Sequence, residues 1–154
     1  MTRAPFQILV FPYQCLADGT PRYAVFRRNE EKGGYWQGIA GGGEDGETPS
    51  AAAQREAAEE AGIPPRLKVF QLDAMCMIPV VDVCGGFTWG PNVLVVPEYA
   101  FGVGVDSPDL RLSEEHAEYR WVDHQEALGS LRWDSNKTAL WELHHRLMTG
   151  RMTI

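Results

Sequence analysis

Cysteine is scarce in this chain: Cys15, Cys76 and Cys84 are odd in number and form no Cys-x-x-Cys pair. That argues against a disulfide framework or a cysteine zinc site and makes a reduced cytosol the default compartment. His116, His124, His144 and His145 offer no transition-metal pattern, since a helix would turn the last, adjacent pair about 100° apart. Long apolar runs are also missing. A bilayer-spanning helix needs about 20 apolar residues, and the longest candidate, Met75 to Val83, is broken by Pro79 and Asp82. The first five residues lack the apolar core of a secretion signal, and no basic amphipathic helix is present to lie on a membrane. Positive charge is outnumbered, with 14 Lys and Arg against 21 Asp and Glu, a formal net charge of −7. A protein that binds nucleic acid by neutralising many phosphates needs the opposite balance. A small phosphate-bearing partner is still compatible, because carboxylates can hold divalent cations that face phosphates.

The 154 residues contain no linker, repeat or low-complexity tract, and their length suits one domain over residues 1–154. Residues 6–13 and 22–28 read as strands from their aromatic and β-branched content, joined through the turn Asp18-Gly19-Thr20-Pro21. Asn29 to Tyr35 reads as a polar loop, and Trp36 to Ala40 as a short apolar stretch entering a bendable Gly41–Gly46 loop. Thr48 is placed to cap a helix with Pro49 at its first position, and Gly62 with Pro64 and Pro65 marks its end. Segments 67–80 and 91–103 read as strands joined by the 85–90 loop. In 116–122, Ala117, Tyr119 and Trp121 alternate as the buried face of a further strand. Extending that alternation back gives Glu115 an inward parity, and an inward carboxylate needs a partner. Asp134 or Ser135 would cap a last helix that carries the stripe Leu140, Leu143 and Leu147 and stops at Gly150. Interleaved strands and helices make a mixed α/β domain.

Chemistry concentrates around the first helix. With about 100° per residue, Glu59 and Glu60 fall at about −60° and +40° from Glu56 on the helical wheel. Three carboxylates therefore share one side. Like charges so spaced destabilise a helix by a few tenths of a kcal/mol per pair, a penalty that a cation among them would reverse. Carboxylate oxygens are ligands that Mg²⁺ prefers. Ala53, Ala57 and Ala61 point away from Glu59 and let the helix lie close against a sheet.

The full spacing runs Gly41, five residues, Glu47, seven residues, Arg55-Glu56, two residues, Glu59-Glu60, one residue, Gly62 and Ile63. A match to about seven fixed letters arises by chance in roughly one window in 10⁸. This segment resembles the Nudix box, with Ala57 standing where that family usually has a bulkier aliphatic residue. The resemblance implies an α/β/α sandwich, a mixed β-sheet between helices. It further implies Mg²⁺-dependent (or Mn²⁺-dependent) hydrolysis of a diphosphate linkage. Glu56, Glu60, Glu59 and the backbone of Gly41 are the implied metal ligands. Glu59 would orient the attacking water, Arg55 would hold a carboxylate, and Glu47 would brace the loop.

A narrower likeness joins Arg27-Arg28, Tyr35-Trp36-Gln37, Glu115-His116, Tyr119-Arg120-Trp121, Trp133 and Ser135-Asn136. In that order they are similar to the bacterial dihydroneopterin triphosphate pyrophosphatases, a branch also labelled dATP pyrophosphohydrolases. It implies Glu115 as a further metal ligand or proton acceptor, Arg27 on substrate phosphate, and Trp36 and Ser135 as substrate contacts. Ala40 departs from the hydroxyl residue of that branch. Residues 79–91 lack its basic character, so the implied substrate is a nucleoside triphosphate or a dihydroneopterin triphosphate-like compound. The alternatives are ADP-ribose or another nucleoside diphosphate derivative, or a non-catalytic nucleotide-binding module. The sequence carries no signature of a particular oligomeric state.

Overall fold

A computed structural model describes residues 2–151. Met1, which begins the segment read as lacking a secretion-signal core, and the last three residues of the single-domain reading lie outside them. Seven strands form one mixed sheet: β1 Arg3–Cys15, β2 Pro21–Arg28, β3 Trp36–Gln37, β4 Ile39–Glu44, β5 Phe70–Pro79, β6 Val95–Gly104 and β7 His116–Val122. The helices are α1 Pro49–Ala61, α2 Val80–Cys84, α3 His124–Ser130 and α4 Asp134–Thr149.

The strand β1 organises the sheet. It pairs antiparallel with β2 and β4 and parallel with β6, while β5 joins β6, and β3 and β7 join β2. Alternation along β1 sends Ile8 and Val10 to one face and Leu9 and Phe11 to the other. Each set enters a separate core. Ile8 and Val10 meet Phe26, Phe101 and the alanines of α1. Leu9 and Phe11 meet Tyr23, Val25, Ala127, Leu140 and Leu143, so α3 and α4 cover the second face. This is the α/β/α layering.

Four local expectations need correction. The Gly41–Gly43 run is a strand rather than a loop, since Gly41 and Gly42 pair with Ile8 and Gln7. Only Gly46 in that stretch has a positive φ, 83°. At 41 and 43 glycine provides space, as the site shows below. The alternation of β7 is interrupted between its pairs Arg27↔Glu118 and Arg28↔His116, where one extra residue is accommodated. Ala117 is consequently exposed and His116 buried, on the face that carries Tyr119 and Trp121. The last helix starts one residue earlier than read: Trp133 is its N-cap and contributes no side-chain cap bond. Val80, expected to end the 67–80 strand, instead opens α2 within the 79–91 connection.

Candidate active site

The placement of the acids begins with the capping of α1. Thr48 Oγ1 accepts from Ala51 N at 3.1 Å, Pro49 opens the helix, and Gly62 closes it at φ 68°. Ala52, Ala53, Ala57 and Ala61 are fully buried against the sheet. Small side chains let the helix approach β4 closely, which turns Glu56 and Glu60 inward and leaves Glu59 exposed. The approach is tight at Gly41, where a Cβ would lie 2.3 Å from Glu56 Cδ. A side chain at position 43 would meet the Phe6 ring at 2.1 Å. The glycines are thus read as clearance for the carboxylate and the core.

Arg55 ties the pieces together. Its guanidinium donates to Glu47 Oε2 at 2.9 Å and Oε1 at 3.0 Å, to Glu56 Oε1 at 2.9 Å, to Glu59 Oε2 at 3.3 Å and to the Gly42 carbonyl at 2.9 Å. Glu47 also accepts from Glu44 N at 2.8 Å, closing the loop that precedes the helix. Arg55 holds the Glu47 carboxyl below its ordinary range, although partial burial opposes this. Glu56 behaves oppositely. Burial pushes its carboxyl up to about 7 against the pull of Arg55, and the neighbouring Glu59 and Glu60 charges add to the rise. Glu60 is also raised by burial, but His116, Ser113 and Arg28 together outweigh that and leave it lowered.

Arg55, Glu56 and Glu60 line a cleft of about 430 Å³ with Arg3, Arg28, Glu44, Glu115 and His116. Its chemistry fits a hard dication: the donors are carboxylates, and Glu56 is buried with the Glu59 and Glu60 charges beside it. Two buried nitrogens there, Arg28 Nε and His116 Nδ1, have no hydrogen-bond partner, and the latter stands 3.6 Å from Glu60 Oε2. No ready-made trio of His, Cys, Asp or Glu converges among the described residues. Glu60 is turned to the Ser113 hydroxyl and Glu56 to Arg55. Side-chain rotation would be needed to gather them on one ion.

The NUDIX domain model matches residues 15–141. The chain belongs to the NUDIX family. A provisionally assigned NUDIX hydrolase of Listeria monocytogenes is 38% identical, with 98% of this chain and 99% of that one aligned at a TM-score of 0.85. A Mycobacterium tuberculosis protein provisionally named 8-oxo-dGTP diphosphatase 3 is 32% identical over 89% of this chain and 58% of its own length. An octanoyltransferase of Myxococcus xanthus is 36% identical over 71% of this chain, which spans only 29% of that protein. The Escherichia coli dihydroneopterin triphosphate pyrophosphohydrolase shares the fold at 23% identity and a TM-score of 0.74, over 95% of this chain and 99% of that one.

In this NUDIX domain Gly41, Arg55, Glu56, Glu60 and Glu115 come together around the cleft. Glu59 sits at its rim, 3.3 Å from Arg55. Glu115 reaches the cleft from the turn before β7, where Lys32 Nζ donates to it at 2.8 Å and Arg28 Nη2 at 3.5 Å. The inward strand parity assigned to it from the sequence does not exist. The structure does not bring Arg27 and Trp36 to the cleft. Both lie on the opposite face of their strands, where Arg27 binds Glu118 at 2.8 Å and Glu30 at 3.0 Å, and Arg120 covers the Trp36 ring at 4.9 Å. Ser135 lines a neighbouring cavity instead. Arg3 and Glu44 carry no signal in the sequence reading, and Arg28 and His116 enter it only as part of the narrower likeness, with no role assigned. For Arg28 the signal was available, since an alternating strand that buries Phe26 must send residue 28 to the same face.

Among the described residues, no helix is long and apolar enough to cross a membrane.

Proposed function

We propose that this chain is a divalent-cation-dependent hydrolase of a diphosphate linkage in a nucleoside triphosphate or a pterin triphosphate-like molecule. Pyrophosphate and a monophosphate are the products. One observation carries this reading: two buried glutamates one helical turn apart share a cleft with the guanidinium groups of Arg3 and Arg28. The acids suit a dication and the guanidiniums suit phosphate oxygens.

Glu56, Glu60 and Glu115 would hold Mg²⁺ or Mn²⁺, with Glu59 and the Gly41 backbone contributing. Bound there, the ion supplies charge neutralisation on the phosphates and activation of the attacking water. Arg28 and Arg3 orient the phosphate chain in line with that water. Glu59 or Glu115 takes the water's proton as the P–O bond to the leaving phosphate breaks. Arg55 keeps Glu56 and Glu59 in place. His116, receiving the Gln37 amide at Nε2 across 3.4 Å, turns Nδ1–H toward Glu60.

A screen with Mg²⁺ for pyrophosphate release from nucleoside triphosphates and dihydroneopterin triphosphate, and for AMP release from ADP-sugars, tests the proposal. Turnover of at least one triphosphate is expected. Binding of triphosphates without product release would replace the enzyme by a nucleotide-binding module.

A further inference from the structure

A second cavity of about 630 Å³ opens beside the carboxylate cleft and shares Gln7, Ala40 and Val83 with it. Tyr35 and Trp133 stand at its wall, edge to face with centroids 5.3 Å apart. Its floor holds a group that the hydrolytic chemistry leaves unused. Glu98, on β6, is nine-tenths buried, on the sheet face that carries Ala100 toward α4. Burial raises its carboxyl, only the Ser135 hydroxyl opposes the rise, and no cation takes part. A buried carboxylate without a cation is costly unless hydrogen-bond donors reach it. It faces this cavity and also a smaller one of about 200 Å³ that Ala74, Met75 and Thr138 help to line.

Register places Glu98 relative to the cleft. Gly42, Gln7 and Glu98 are successive partners across β4, β1 and β6. At strand spacing, Glu98 lies about 10 Å from Gly42, comparable to the reach from a nucleotide's phosphates to the far edge of its base. We propose that Glu98 selects the ring of the substrate, accepting two hydrogen bonds from a heterocycle that presents a ring N–H beside an exocyclic amino group. Guanine and 2-amino-4-oxopteridine carry that edge. Adenine and cytosine set an acceptor beside the amino group, and thymine flanks its N–H with carbonyls, so each turns an acceptor toward a carboxylate. The assignment rests on the diphosphate reading for the placing of the phosphates next door.

Calorimetric titration in EDTA with dGMP, neopterin, dAMP and dCMP tests it apart from turnover, on wild type, Glu98→Gln and Glu98→Ala. Wild type is expected to bind dGMP and neopterin at least ten-fold more tightly than dAMP or dCMP. Glu98→Gln should lose roughly 10- to 100-fold for dGMP and move toward dAMP, because a carboxamide matches the adenine edge. Glu98→Ala should flatten the series. Both variants should melt at or above wild type at pH 8, since a buried charge has been removed. Absence of dGMP binding by wild type, equal binding of the four probes, or equal weakening of all four by Glu98→Gln would overturn the assignment. Binding of dGMP with no pyrophosphate release from dGTP and Mg²⁺ would overturn the hydrolase reading and leave the ring assignment standing.

Discussion

Glu56→Gln should make the metal-free protein more stable at pH 8 and leave it almost unchanged at pH 4.5. The Glu56 carboxyl rises from 4.5 to about 7 on folding, chiefly through burial. A carboxyl raised in this way favours the folded state while protonated, and that contribution fades as pH climbs from about 4.5 through 7. The change corresponds to about 3 kcal/mol. Glutamine resembles the protonated acid and has no charge to form, so the stability gap between variant and wild type should open by about that amount. For a chain of this size, roughly 2–4 °C per kcal/mol converts it to a melting difference of about 6–12 °C. Other groups titrate in the window. His124 and His144 are lowered by burial, which weakens the fold as pH falls, and Glu98 is raised. They are common to both proteins and cancel in the difference. The assay is thermal denaturation in EDTA from pH 4.5 to 8, repeated with about 10 mM Mg²⁺, a concentration chosen to exceed an ordinary dissociation constant. Mg²⁺ should close the gap by stabilising wild type alone. A gap that stays constant within 1 °C, or widens toward low pH, refutes the account of Glu56.

Glu60→Gln should lower the rate of pyrophosphate release by about 10²–10⁴-fold while the melting temperature stays within a few degrees; near-normal turnover would remove Glu60 from the site. Gly41→Ala forces a methyl into the Glu56 carboxylate, 2.3 Å from its Cδ, so about 1–3 kcal/mol of stability should go together with activity. A fully active, equally stable alanine variant would disprove the clearance argument. Arg28→Ala should raise KM about ten-fold or more, whereas Arg27→Ala, whose guanidinium serves Glu118 and Glu30, should leave kinetics close to wild type. The reverse outcome would restore Arg27 as the phosphate contact.

How far the sequence could be read depends on the range of the forces concerned. Thr48, Pro49 and Gly62 act within one turn of α1, so its limits and the shared side of Glu56 and Glu60 were legible from spacing alone. The Gly41–Gly43 run looks like a loop because nothing local favours a strand there; its pairing comes from β1, more than thirty residues earlier. Parity in β7 failed at the irregularity between Arg27 and Arg28 of its partner, which no pattern within 116–122 announces. Trp36 and Arg27 looked like ligand groups through resemblance, yet strand alternation sends them to the far face. Glu98 could have been noticed. It shares strand parity with Val96 and Ala100, both buried, and a lone acid at a buried parity calls for a partner.

The fan of bonds around Arg55 has a consequence for how this domain can change. One guanidinium fastens the loop at Glu47, the strand at Gly42 and the helix at Glu56, so these three segments cannot drift apart independently. Lysine, a single ammonium on a flexible stem, cannot span all of those acceptors. On the proposed function, folding and turnover then depend on the same cation. Substitutions that retune the acids of α1 will be felt as changes in rigidity, and selection for a faster enzyme at this spot will meet a thermal limit first.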